Sequence, residues 1–80
     1  MVEFYDVEND QQNKDIIKLG LTIRKLREET TDFSQDKLAL EVDLSENQIR
    51  RIEKGQTNPT LRTLLKIAKA LNVDIKDLFN

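Results

Sequence analysis

The chain has no cysteine and no histidine among its 80 residues, and each absence closes off a branch of chemistry. Without cysteine there can be no disulfide framework and no thiolate zinc site. Without histidine the usual neutral-pH base is gone, together with the commonest metal-binding imidazole and every Ser-His or Cys-His nucleophile pair. Glycine occurs only twice and proline once, so no glycine-rich phosphate loop exists. No apolar run approaches the roughly 20 residues of a membrane span, and the acidic first residues lack the layout of a secretory signal. The expectation is a soluble, cytoplasmic protein that is not an enzyme and uses no metal, cofactor or small-molecule ligand.

The residues that are present, 38% hydrophobic and 35% charged, make the composition of one charge-covered helical domain. Its net charge of −2 is unevenly spread. Residues 1–15 hold Glu3, Asp6, Glu8, Asp10 and Asp15 against Lys14, a net of −4. From Ser45 to Lys69 the bases Arg50, Arg51, Lys54, Arg62, Lys66 and Lys69 outnumber Glu46 and Glu53, a local excess of +4. The alternation Asp6-x-Glu8-x-Asp10 is not a calcium loop, because Gln11 stands where such a loop needs Gly and Ile17 where it needs a bidentate Glu.

Residues 1–15 lack helical periodicity and read as a short amino-terminal arm ahead of a domain spanning 16–80. From Ile16 the apolar positions Ile16, Leu19, Ile23 and Leu26 recur at helical spacing, predicting a first helix that ends near Glu29. Ser34 is a good cap for a second helix with Leu38, Ala39 and Val42 inward. Ser45-Glu46-Asn47-Gln48 fits a capping box that opens a third, with Ile49 and Ile52 inward and Gly55 as its stop. Thr60 caps a fourth, whose predicted inward residues are Leu61, Leu64, Leu65, Ala68 and Leu71, and Asn72 can close it. Asp74 opens a fifth short helix containing Ile75, Leu78 and Phe79.

Two short helices joined by about three residues must cross steeply, which demands a small side chain at the contact and apolar residues at fixed offsets. Counted from Gln35 as the first position, Leu38, Ala39, Val42, Leu44, Ile49 and Ile52 occupy the fourth, fifth, eighth, tenth, fifteenth and eighteenth. Those are the inward positions of a helix-turn-helix. The segments LGLTIRKLRE, SQDKLALEVDLSENQIRRIEKG, NPTLRTLLKIAKALNV and DIKDLF resemble, in order and spacing, the phage repressor and Cro family of DNA-binding domains, also called the xenobiotic-response-element family. The resemblance covers about residues 17–80. It implies an all-α, five-helix, lambda-repressor-like domain that dimerises on a palindromic operator with its third helix in the major groove. Controller proteins of restriction-modification systems, small phage regulators and some antitoxins of that family have this size. The chain departs from the pattern in two loops: the stretch between Arg27 and Ser34 is one residue longer than usual and lacks the common Gly, and Asp43 stands in place of a turn Gly.

With Ile49 and Ile52 inward, Glu46, Asn47, Gln48, Arg50 and Arg51 turn partly or wholly outward at the start of the third helix. The resemblance implies base contacts from Asn47 and Arg51 first, then Glu46 and Gln48. Amide side chains suit adenine and guanidinium groups suit guanine. Phosphate contacts are expected from Gln35, Ser45, Arg50, Lys54, Thr57 and Asn58, because helix amino termini and loop amides attract anions. The resemblance also implies a structural ion pair between Arg27 and Glu53.

One short reading helix contacts few base pairs, so a homodimer on a double-stranded operator is the expected working form. Its interface is expected from Val73, Ile75, Leu78 and Phe79, with Val2, Phe4, Tyr5 and Val7 of the arm adding to it. The competing reading of the chain is an antitoxin-type interaction module that also binds DNA.

Overall fold

In a computed structural model of the chain, the backbone is described for residues 2–79 and the side chains for residues 11–79. Within those limits the order is α1 (Val2–Thr30), α2 (Gln35–Glu41), α3 (Glu46–Glu53), α4 (Leu61–Leu71) and a 3₁₀ turn (Ile75–Phe79). The described residues thus form four α-helices rather than the expected five. The last segment, five residues long, closes through i to i−3 geometry, with the Asp77 N–H donating to the Asp74 carbonyl at 2.9 Å.

Residues 2–15, the stretch expected as an arm without helical periodicity, continue α1 without a break. No Gly or Pro interrupts that stretch. Once the packed segment around Leu19 and Ile23 has nucleated a helix, adding turns costs little, so a missing apolar stripe signals exposure rather than another conformation. Residues 11–15 are all exposed. The side chains of Val2, Phe4, Tyr5 and Val7, assigned to a dimer interface from the sequence, lie outside the described residues.

The core gathers Leu19 and Ile23 of α1, Leu38, Ala39 and Val42 of α2, and Ile49 and Ile52 of α3. Leu64, Ile67, Ala68 and Leu71 of α4 close it, together with Leu78. Local signals set the ends of the elements. Ser34, Ser45 and Thr60 each accept from the backbone N–H three residues on, at 3.1 Å. Asp43, Gly55 and Asn72 then close α2, α3 and α4 in the left-handed region, with φ of 59°, 70° and 60°. In each case the next residue donates back five positions: Leu44 to Ala39, Gln56 to Arg51 and Val73 to Ala68.

The loop before α2 needs no glycine, because none of its residues has positive φ. Instead the Thr31 hydroxyl donates to the Arg27 carbonyl at 2.7 Å and accepts from the Phe33 N–H at 3.0 Å, which holds the extra residue in place.

Burial expectations are corrected at four residues. Leu61 and Leu65 are 63% and 50% exposed, and Ile67, not predicted inward, is fully buried. The buried stripe of α4 is Leu64, Ile67, Ala68 and Leu71, a three-four repeat to which the pair at 61 and 65 runs alongside. Leu78, assigned to the dimer interface, is 0% exposed because it fills the monomer's own core between α1 and α4. Val73 and Ile75 are half-buried against that core, which leaves Phe79 as the exposed member of the proposed quartet.

Candidate nucleic-acid interface

The carboxy-terminal end of α3 is pinned. Glu53 is buried, and its carboxylate accepts from Arg27 through Nε at 2.7 Å and Nη2 at 3.1 Å, a bidentate pair across α1 and α3. A third donor, Gln35 Nε2, reaches Glu53 Oε1 at 2.9 Å, while Arg27 Nη1 donates to the Phe33 carbonyl at 2.9 Å. The hydrogen bonds that Arg27 donates to Glu53 raise its pKa above the ordinary value against the lowering effect of burial, so the guanidinium stays charged. Among the described residues no buried side-chain polar atom is left without a partner.

Gly20 of α1 sits against the same helix end. A Cβ there would lie 2.3 Å from the Ile52 carbonyl oxygen and 2.8 Å from that of Glu53, so only glycine permits this approach. The sequence reading missed it. The available signal was a lone glycine inside a helix, which costs about 1 kcal/mol relative to Ala and therefore needs a packing reason.

The amino-terminal end of α3 is open. Ser45 and Gln48 form the reciprocal capping box, with the Ser45 N–H donating to Gln48 Oε1 at 2.8 Å. That contact occupies the Gln48 carbonyl oxygen and leaves its amide hydrogens for other partners. Arg50 ties down two of the base-contact candidates, donating to Asn47 Oδ1 at 3.2 Å and pairing with Glu46 at 3.5 Å. Arg51 is exposed and makes one long contact, 3.5 Å, to the Gln56 carbonyl.

An open groove of about 230 Å³ runs beside this end and gathers Gln48 and Arg51 with Thr57, Asn58, Thr60 and Thr63. Four residues assigned from the sequence line it, and the two hydroxyls at Thr60 and Thr63 were not foreseen. Glu46, Asn47, Ser45 and Lys54 are exposed but do not line the groove. Gln35 is half-buried at the start of α2, held by Glu53.

Two short helices joined through a left-handed Asp43, the second pinned at one end and offering polar side chains at the other, define a helix-turn-helix unit. A family model for the helix-turn-helix matches residues 23–78, and the chain belongs to that family. It is 38% identical to Control protein C.MunI of Mycoplasma sp over 64 residues, 80% of this chain and 86% of the relative. With Control protein C.BamHI of Bacillus amyloliquefaciens it shares 43% identity over 61 residues, 76% of this chain and 75% of that one. Among solved structures, the restriction-modification controller protein C.AhdI from Aeromonas hydrophila superposes with a TM-score of 0.79 at 34% identity, over 84% of this chain and 96% of its own.

Proposed function

We propose that the chain is a sequence-specific regulator of transcription that binds a palindromic double-stranded DNA operator as a homodimer and reads it with the amino-terminal half of α3. The carrying observation is the asymmetry of α3. Its carboxy-terminal end is locked to α1, which sets the helix angle, and its other end presents Gln48 and Arg51 in a groove shared with the loop that leads into α4. A helix held this way can enter a major groove while the loop and the starts of α2 and α4 meet the phosphates. The relatives are control proteins, one of them of restriction-modification, which supports the regulatory half of the reading.

Within this reading Arg51 is the first base contact, because its guanidinium is the least engaged, and the Gln48 amide hydrogens are the second. Asn47 and Glu46 follow once Arg50 turns from them to a phosphate. Lys54, Thr57 and Asn58 anchor the backbone, and Gln35 presents its second amide hydrogen to a phosphate with Glu53 holding the first.

Duplexes selected from a random library define the operator, and titrations at several salt concentrations then separate the two kinds of contact. Arg51→Ala is expected to cost about 1 to 3 kcal/mol on the operator and to relax discrimination at one base pair. Lys54→Ala is expected to weaken operator and scrambled duplex alike and to lower the salt slope by about one. Equal weakening of both duplexes by Arg51→Ala, with a reduced salt slope, would reassign Arg51 to phosphate.

A further inference from the structure

α4 carries a face that its own monomer leaves uncovered. Leu61 and Leu65, one turn apart and 63% and 50% exposed, line an open groove with Arg62, Lys66 and Lys69. The helix contains no acidic residue. On the other helices three exposed cations pair with a carboxylate one turn away, Arg24–Glu28, Lys37–Glu41 and Arg50–Glu46, while among the described residues Lys25, Arg51 and Lys54 do not. Arg62, Lys66 and Lys69 have no ion pair among the described residues. The face is therefore apolar in its middle and cationic at its margins, with no anion to balance it.

The complementary composition stands at the other end of the chain. Residues 2–10, VEFYDVEND, hold four acids, no base, and the apolar or aromatic Val2, Phe4, Tyr5 and Val7. This segment precedes the residues that match the family, 23–78, so the family's fold gives it no task. It belongs to α1, and a straight helix of 29 residues spans about 43 Å. The longest dimension of the molecule is likewise 43 Å. A helix that long cannot bend back onto α4 of its own chain without breaking, so segment 2–10 can reach such a face only on another copy. Ile17 meets Gly55, six residues before Leu61, so α1 passes the start of the loop that leads into the exposed face of α4.

We propose that the Leu61–Leu65 face of α4 docks the acidic, apolar segment 2–10 of a second copy, so that two chains exchange their amino-terminal turns reciprocally; this rests on the homodimer reading above. Contact of one α4 face with the same face of its partner is disfavoured, because it would gather the cations of both copies around the leucines with no anion between them. Docking of 2–10 supplies those anions and covers the leucines. It also places the dimer contact on the helix whose start, at Thr60 and Thr63, lines the reading groove.

A charge swap in the full chain tests the proposal by sedimentation equilibrium without DNA, with circular dichroism to check that each variant keeps its helix content. Lys66→Glu with Lys69→Glu is expected to raise the dimer dissociation constant about tenfold or more in low salt, and so is Asp6→Lys with Asp10→Lys. The four changes together should return it to within about threefold of wild type, and about 1 M salt should shrink all these differences. Leu61→Asp, an uncharged-to-acidic change in the middle of the face, should also weaken the dimer. Reversal on α4 that leaves the dimer unchanged or tightens it, or a swap that fails to rescue, overturns the docking while the dimer itself stands. A wild-type chain that remains monomeric and binds the operator without a dimeric complex overturns the homodimer reading and the docking with it.

Discussion

Each end of α3 carries an Arg–Glu pair, and the two pairs are built in opposite ways. At the carboxy-terminal end the Arg27 and Glu53 side chains are 9% and 1% exposed and approach to 2.7 Å. At the amino-terminal end Arg50 and Glu46 are 41% and 48% exposed and stand 3.5 Å apart. A charge removed from water has to keep its partner, whereas a hydrated one can exchange it at little cost. In the proposed function this difference divides the labour of α3. The core sets its angle at one end, and the hydrated side chains at the other can change partners at little cost.

Breaking the buried pair carries the largest expected effect. Glu53→Ala strands Arg27 without an anion and takes the acceptor from Gln35, at a cost of about 3 to 5 kcal/mol. In a domain of this size that lowers the thermal midpoint by about 10 °C or more. Thermal unfolding followed by circular dichroism measures it, and an unchanged midpoint would make the pinned end no different from the open one.

Gly20→Ala attacks the same end through its backbone. The added methyl meets two carbonyl oxygens that cannot step aside without moving α3, so a loss of about 1 to 3 kcal/mol is expected although Ala favours helix by about 1 kcal/mol. Chemical denaturation gives the value, and a stabilised variant would show that α1 and α3 are not in close contact there. Glu46→Ala sharpens the comparison from the other side. It removes an exposed partner one turn from Arg50, and its expected cost in the same denaturation assay is no more than about 0.5 kcal/mol. A cost comparable to that of Glu53→Ala would erase the contrast between the ends.

Much of this architecture is written in short stretches of chain. Ser34, Ser45 and Thr60 cap where their residue types indicate, and Asp43, Gly55 and Asn72 take the left-handed positions that end helices. The inward positions from Leu38 to Ile52 follow from a repeat visible within one or two turns. The same local logic did not foresee that residues 2–15 continue α1, although nothing in them stops a helix. It misled in α4, where apolar residues on two adjacent rows were all assigned to the core.

For the candidate interface, residue type and spacing alone were enough to bring α3 and its outward side chains into view, because helical geometry fixes which positions share a face. Packing had the last word on everything that depends on a neighbour arriving from elsewhere in the chain. That includes the three donors converging on Glu53, the backbone approach at Gly20, the hydroxyls of Thr60 and Thr63 beside Arg51, the burial of Leu78 and the exposure of Leu61 and Leu65. Periodicity names the face a residue occupies, but burial is settled by which other element covers that face, and local pattern carries no record of it.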